Sequence, residues 1–262
     1  MQTTTHKRSI PRLPGLPRPL YNRHETLAPG SWTEEHSHPW CQLSYAARGV
    51  LGVRTPSFDH AAPPHHAVWI PPDVPHQVVN RREAEMRSLY LSREAAAGLP
   101  TESCILEISP LIRELIRRIG ELPVEYDEEG PAGRLVAVLV DELAAARRAP
   151  FGLPLPGDRR LVAICSALEQ APDDDRTLNE WAASAGASAR TLARLFVKET
   201  GLGFGEWRQR LRLLLSLDAL EAGESVTRVA LAHGYNSTSA FIAAFRGVFG
   251  ASPGELRDKS PS

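Results

Sequence analysis

Two stretches near the carboxyl end of the chain follow one pattern. Residues 178–201 read LNEWAASAGASARTLARLFVKETG, and residues 226–250 read VTRVALAHGYNSTSAFIAAFRGVFG. In each stretch a short apolar segment ends at a glycine, a serine follows, and two large apolar residues stand four apart before another glycine. Internal repeats constrain an architecture more strongly than any single residue does. The pattern therefore predicts one helical unit that occurs twice.

Each copy predicts a helix, a tight turn and a second helix. Gly186 and Gly234 suit the left-handed backbone conformation that commonly ends a helix. Ser188 and Ser237 can each accept a hydrogen bond from the open N–H groups at the start of the following helix. These four positions predict two helix-turn-helix motifs.

The second helix of each copy has one apolar face, formed by Leu192 and Phe196 in the first copy and by Phe241 and Phe245 in the second. Because that face packs inward, the opposite face is free to enter a major groove of DNA. A polar helix face is often only solvated, but two copies with the same turn chemistry favour DNA binding. The candidate DNA contacts are Ser188, Arg190, Thr191, Arg194 and Lys198 in the first copy, and Ser237, Thr238, Ser239 and Arg246 in the second.

The segment from Arg159 to Arg257 resembles the DNA-binding domain of AraC/XylS-type transcription regulators. The most specific part of the resemblance runs from Val229 to Pro253. It implies two recognition helices placed in successive major grooves on one face of the DNA. Members of the family often have a basic residue in the second recognition helix where this chain has Ala243, so we expect weaker base reading there.

The helix expected between the two copies carries apolar and basic residues. We expect its large apolar residues in the core and its arginines in solvent or near phosphate. The apolar residues are Trp207, Leu211, Leu214 and Leu215, and the arginines are Arg208, Arg210 and Arg212.

Composition places limits on the rest of the chain. Its 262 residues suffice for two domains, and 42% hydrophobic with 23% charged residues is typical of globular proteins. Because the chain has no apolar run of the ~20 residues that span a bilayer and no secretory signal, we expect a cytoplasmic protein without a membrane partner. Cys41, Cys104 and Cys165 lack metal-ligand spacing and fit a reducing compartment. A net charge of −1 does not support DNA binding, which rests on the motif alone.

The chain before the repeat predicts an α+β protein of two domains. Residues 1–20, rich in proline and arginine, are expected to form a flexible arm. Residues 21–100 contain short runs typical of strands, which predict a sandwich or small barrel. The predicted strands are 42–45, 50–54, 67–70, 77–80 and 86–91.

Two segments of this region resemble the two signature motifs of the cupin superfamily. The first contains His36, His38 and Gln42, and the second contains His76. Gln42 stands where many cupins have glutamate, and Asp73 where they have glycine. The resemblance implies a double-sheet barrel that senses an effector.

The residues of the first motif also predict a pocket without reference to any family. If residues 36–45 form one strand, His36, His38, Trp40 and Gln42 point to the same face, and His76 from another strand could join them. Three neutral imidazoles with an amide or water could hold a divalent first-row transition metal ion. Alternatively, these residues line a pocket for an organic effector or are a relic of a metal-binding ancestor. His60, His65 and His66 are expected to be exposed.

The period of the apolar residues changes after residue 100. Residues 108–121 and 129–147 predict two amphipathic helices within a segment from 101 to 149. They could cap the barrel, and in AraC/XylS-type regulators such helices also form the dimer interface, so we expect a homodimer. Residues 150–158 are a proline- and glycine-rich linker, and residues 159–258 form the DNA-binding domain.

These patterns predict a sequence-specific transcription regulator, activator or repressor, controlled by a small effector in the N-terminal barrel. Its expected partners are double-stranded DNA, a small-molecule or metal effector, a second copy of the chain and RNA polymerase. We predict no catalytic residue and no cofactor other than the possible metal. One alternative is a cupin-type metalloenzyme in which the three histidines hold iron or manganese. Another is an architectural DNA binder with a structural barrel.

Overall fold

The computed structural model describes residues 6–10 and 13–258, which divide by their contacts into two units. The first unit comprises the described residues through Thr55 together with His60–Phe151. The second comprises Pro56–Asp59 and the residues from Gly152 onward. Strands dominate the first unit and helices the second, so the predicted α+β class is confirmed.

Strands β1–β10 come first in the chain, and the last two strands lie between helices α2 and α3. In chain order the strands are β1 (His6–Arg8), β2 (Leu20–Leu27), β3 (Ser31–Thr33), β4 (Cys41–Arg48), β5 (Leu51–Arg54), β6 (Phe58–Ala62), β7 (His66–Ile70), β8 (Gln77–Val79), β9 (Ala84–Leu91), β10 (Cys104–Glu107), β11 (Arg148–Ala149) and β12 (Gly152–Pro154). The helices are α1 (Pro110–Ile119), α2 (Pro131–Ala145), α3 (Arg159–Gln170), α4 (Leu178–Ala185), α5 (Ala189–Thr200), α6 (Phe204–Glu221), α7 (Val226–Ala232), α8 (Thr238–Phe249) and α9 (Pro253–Asp258).

Two sheets form the first unit. One includes β1, β3, β8, β5 and β6 in that order, and the other has the order β11-β10-β7-β4-β9-β2. Side chains alternate across the second sheet, so one face of β4 carries Leu43 and Tyr45 and the other carries Gln42 and Ser44. Leu43 and Tyr45 belong to the core that includes buried residues of α1 and α2. Gln42 lines a cavity together with Thr33 of the opposite sheet, so the polar face points between the sheets.

Three sequence predictions for this unit need correction. Residues 6–8 of the predicted arm form β1, which pairs in parallel with β3, and the partly buried Arg8 forms an ion pair with Glu25. Residues 104–107 form β10 within the segment predicted to be helical. His60 and His66 are buried rather than exposed, because His60 lies in the buried second half of β6 and β7 is buried along its whole length. The rest of the predicted arm at residues 1–5 and 11–12 lies outside the described residues.

The second unit contains the two repeated motifs, α4–α5 and α7–α8, with α6 between them in the chain. Its core includes Trp207 and the two aromatic or apolar pairs that the sequence predicted on α5 and α8. The predicted linker is not irregular throughout, since it contains β12, whose Pro154 carbonyl accepts a 2.7 Å hydrogen bond from the indole of Trp207. Among the helices of the described residues, none is long and apolar enough to cross a membrane.

Candidate functional sites

The turn of the first motif is built by residues that satisfy the helix ends. Thr177 starts α4 through a capping box with Glu180. Gly186 ends that helix at a φ of 63°, and Ser188 Oγ accepts a 3.2 Å hydrogen bond from the backbone N–H of Thr191. The turn of the first motif thus has the left-handed glycine and the serine cap that the sequence predicts.

The second motif repeats this construction. Ser225 caps α7, and Gly234 follows at a φ of 75°. Ser237 Oγ accepts a 3.1 Å hydrogen bond from the backbone N–H of Ala240 at the start of α8. Both motifs therefore have a left-handed glycine at the turn and a serine cap on the second helix, although Ser188 lies two residues after its glycine and Ser237 three.

The exposed face of α5 is strongly basic. Leu192 and Phe196 are fully buried, while Arg190, Arg194 and Lys198 on the other side are exposed. Within the described residues, none of these three cations is paired with a carboxylate. Three solvated cations on one helix face are available to DNA phosphates and base edges. Thr191 is partly buried, with its hydroxyl 2.9 Å from that of Ser188.

The exposed face of α8 is small and nearly uncharged. Phe241 and Phe245 are buried, and Ser239, Ala243 and Arg246 are exposed on the other side. Thr238 is partly buried and donates to the hydroxyl of Thr227 at 3.1 Å. Arg246 lies 3.6 Å from the carboxylate of Glu255, which reduces its local positive charge.

The prediction for the arginines of α6 is wrong. Arg208, Arg210 and Arg212 are all partly buried. Arg212 donates to three backbone carbonyls of the same unit, and Arg208 donates to the carbonyl of Arg176 at 2.8 Å. Helical periodicity alone does not reveal this role. The buried Leu211 and Leu213 on either side of Arg212 were the available signal that its stem lies close to the core.

The three candidate metal ligands of the first unit lie together, although not as the sequence predicted. Residues 36–45 do not form one strand, because β4 begins only at Cys41. Instead His36 and His76 form an isolated antiparallel bridge, with N···O distances of 3.0 and 2.8 Å. The ring centroids of His36 and His38 lie 4.2 and 5.0 Å from that of His76. One ring nitrogen from each of the three histidines lies within 4.8 Å of the other two.

Backbone carbonyls fix the tautomer of each ring in the same sense. A carbonyl oxygen only accepts hydrogen bonds, so an Nδ1 bound to it carries the proton and leaves Nε2 with a free lone pair. Metal-binding histidines are commonly oriented in this way. The Nδ1···O distances are 3.0 Å from His36 to Glu34, 2.8 Å from His38 to Trp40 and 2.9 Å from His76 to Val74.

His76 is the most constrained member of the cluster. Its ring is fully buried, and its Nε2 has no hydrogen-bond partner among the described residues. Burial lowers the pKa of His76 to about 3, and burial also lowers the pKa of His36. Both rings are therefore neutral at pH 7, which is the state that coordinates a metal ion.

Gln42 completes the geometry of the cluster. Its amide oxygen lies 2.9 Å from His38 Nε2, and its amide nitrogen donates to Ser44 Oγ at 2.7 Å. With Nδ1 of His38 protonated, the amide oxygen and Nε2 are both acceptors and cannot bond to each other. Rotating the amide by half a turn removes this clash of two acceptors. A cation that both atoms coordinate removes it as well. The residues present thus fit a divalent metal ion.

The space beside the histidines is small. Trp40 stacks on His38 with ring centroids 5.2 Å apart, and Tyr90 meets His38 edge-on at 5.8 Å. The adjoining cavity, which His36 and Gln42 help to line, has a volume of about 20 Å³. That volume suits an ion or a water molecule, whereas pockets for organic ligands have roughly 300–1,000 Å³. A larger groove of about 300 Å³ lies along α2, lined in part by Tyr126, Val136 and Val140.

Comparison with known proteins assigns both units to described families. Residues 181–259 match the model of a helix-turn-helix domain, and residues 23–144 match that of an AraC-like ligand binding domain. The HTH-type transcriptional regulator NimR of Escherichia coli (strain K12) is 36% identical over 219 residues, which cover 84% of this chain and 80% of that protein. The HTH-type transcriptional regulator RipA of Corynebacterium glutamicum is 40% identical over 100 residues, covering 38% of this chain and 30% of that protein. The crystal structure of a transcriptional regulator from Chromobacterium violaceum with an AraC-type DNA-binding domain aligns with a TM-score of 0.37 at 26% identity, covering 39% of this chain and 93% of that one.

Proposed function

This chain belongs to the AraC family of transcription regulators, and we propose that the effector controlling its DNA binding is a divalent first-row transition metal ion held by His36, His38 and His76. The observation that carries this proposal is the common orientation of the three rings, each with Nδ1 bound to a carbonyl and Nε2 left as an acceptor. Gln42 would supply an amide oxygen or position a water ligand. Imidazole nitrogens suit zinc, nickel, copper and iron, so the ligand set does not require one particular ion.

The metal would act by favouring one arrangement of the molecule over another. A ligand shifts an equilibrium only by its difference in affinity for the two states. His36 and His76 belong to different segments that meet through a backbone bridge, and the N–H of Asp73 donates to the carbonyl of His38 at 2.8 Å. An ion bound to all three histidines would add a restraint between these segments, and its loss would remove that restraint.

The DNA-contacting residues are those on the exposed sides of α5 and α8. Arg190 and Arg194 are our candidates for reading guanine, because a guanidinium can donate to both acceptors of that base. Lys198 and Arg246 would bind phosphate. The remaining proposed contacts are the partly buried or exposed hydroxyl residues at the two helix starts, namely Ser188, Thr191, Ser237, Thr238 and Ser239.

We also propose that the regulator is a homodimer that contacts RNA polymerase in the cytoplasm and has no enzymatic activity. The support for dimerisation is Val138 on the outer side of α2, a large apolar side chain that is 44% exposed. A metalloenzyme would account for the histidines but would leave the paired recognition helices without a role. Sedimentation of the full chain tests the dimer, and the change Val138→Glu is expected to yield monomers.

Metal binding and metal response are tested separately on the full-length protein. After chelation, zinc, nickel, cobalt, iron(II) and copper are titrated by calorimetry, and DNA affinity is measured by gel shift with and without the bound ion. We expect stoichiometric binding that is lost in His38→Ala and retained in the control His24→Ala, which removes an exposed histidine of the same unit. Absence of binding would overturn the metal site. Binding without any change in DNA affinity would make the ion structural and leave the effector to be organic.

The groove along α2 supports a second candidate, an apolar organic effector. Its volume of about 300 Å³ is at the lower end for ligand pockets, and Val136 and Val140 give it apolar walls. Screening small apolar acids and phenols by thermal shift would test it. A ligand whose stabilising effect disappears in Val140→Trp, while metal binding persists, would favour this groove over the histidine site.

A further inference from the structure

One guanidinium joins two loops that are far apart in the sequence. Arg212 of α6 donates through Nε to the carbonyl of Pro172 at 2.6 Å and through Nη2 to that of Asp174 at 2.9 Å. Its Nη1 donates to the carbonyl of Gly234 at 3.0 Å. Pro172 and Asp174 precede the first helix-turn-helix motif, whereas Gly234 forms the turn of the second.

A side chain at Gly234 would require the Arg212 guanidinium to move. A Cβ atom added to Gly234 would lie 2.7 Å from Cζ of Arg212. The equivalent Gly186 of the first motif also has a positive φ, but a Cβ there would have nothing within 4 Å. The turn itself therefore does not require this contact, and the second motif carries a constraint that the first one lacks.

A chain of contacts continues from this arginine to the first motif. Arg208, one turn before Arg212, donates to the carbonyl of Arg176 at 2.8 Å. Arg176 pairs with Asp174, and its guanidinium lies 3.6 Å from the ring centroid of Trp181. Trp181 is the buried residue of α4. Polar contacts thus run without interruption from α4 through the loop and α6 to the turn before α8.

We infer that Arg212 is a positioning residue that sets the distance between the two recognition helices. Here a half-site is the DNA segment contacted by one recognition helix. Each helix alone would bind its half-site weakly, and binding of the second helix gains from binding of the first only if the distance between the helices matches the DNA. A planar guanidinium can bond to three carbonyls at fixed angles, which a lysine ammonium does not reproduce. This inference concerns the second unit alone and does not depend on the metal proposal.

The test measures how strictly the protein requires one spacing. Selection from random DNA with the full-length wild type gives the operator, and derivatives are made with one or two base pairs inserted between the half-sites or with one half-site scrambled. Gel-shift titrations then compare wild type with Arg212→Lys and Arg212→Gln. The control is Arg228→Lys, a charge-conserving change at an exposed position of α7 that has no proposed DNA contact.

We expect wild type and control to lose affinity sharply when base pairs are inserted. In the Arg212 variants the native operator should lose about tenfold in affinity, the difference between native and altered spacing should shrink to roughly threefold, and half-site affinity should stay unchanged. Retention of the wild-type spacing preference would overturn the inference. An equal loss on every DNA, including the half-site, would also overturn it, because it would show a role in folding only.

Discussion

The two helix-turn-helix motifs use the same kinds of residue at the turn and in the core but carry different exposed side chains. Both use a serine to start the second helix, a glycine in the left-handed conformation at the turn and two buried apolar residues four apart. Their exposed sides differ, since α5 carries Arg190, Arg194 and Lys198 whereas α8 carries Ser239 and Ala243. Equal folds therefore do not imply equal roles. With the proposed contacts, the first motif would supply charge and guanine reading, while the second, positioned by Arg212, would contact thymine methyl groups through Ala243.

The largest difference between the two motifs is expected in the stability lost when each turn glycine is replaced by alanine. Gly186→Ala meets only the cost of a positive φ, and we expect the free energy of unfolding to fall by about 1 kcal/mol. Gly234→Ala must in addition displace a guanidinium that holds three hydrogen bonds, so we expect a loss of about 3 kcal/mol. Urea unfolding of both variants measures the two values. Equal losses would show that Arg212 moves aside freely and that the turns are equivalent.

The next largest difference is expected in the DNA affinity lost when an exposed residue of α5 or of α8 is replaced by alanine. Arg194→Ala should weaken specific binding by about 1–3 kcal/mol and relax the base preference at one position of the first half-site. The matched change Ser239→Ala on α8 should cost less than about 1 kcal/mol, because a neutral hydroxyl contributes a weaker hydrogen bond. Gel-shift titration against operators with single base changes separates affinity from preference. Unchanged affinity and preference in Arg194→Ala would show that this face of α5 does not contact DNA.

The same two motifs show what the sequence could predict. Helix ends, turn glycines and buried pairs depend on residues within a few positions of each other, and periodicity reveals them directly. The helix-turn-helix pair and the placement of Gln42 on the cavity face of β4 are predicted on that basis. Such patterns carry no information on which distant carbonyl a long side chain reaches. The sequence therefore predicts Arg212 in solvent or near phosphate and misses its three carbonyl partners, which lie 40, 38 and 22 residues away.

The histidine site shows the same limit in the first unit. Residue type, strand alternation and the cupin resemblance all point to His36, His38 and His76, but the strand predicted through residues 36–45 does not exist. A backbone bridge between His36 and His76, 40 positions apart, brings the rings together instead. The carbonyls that orient the rings are two residues from each histidine, so this local feature was compatible with the sequence but not readable from it. Packing over the whole unit decides which distant segments pair. The residue pattern of a single segment does not contain that information.

The smallest effect on DNA affinity is expected from replacing Arg246, the one arginine of α8. Because the carboxylate of Glu255 lies 3.6 Å away, part of its charge is already neutralised. Arg246→Ala should lower affinity for all DNA sequences alike and reduce the slope of log affinity against log salt by about 1. Glu255→Gln should raise affinity for all DNA sequences and increase the salt slope, because it leaves Arg246 free to bind phosphate. Titrations of both variants at several salt concentrations test this, and a sequence-dependent loss in Arg246→Ala would mean that α8 reads bases with its arginine after all.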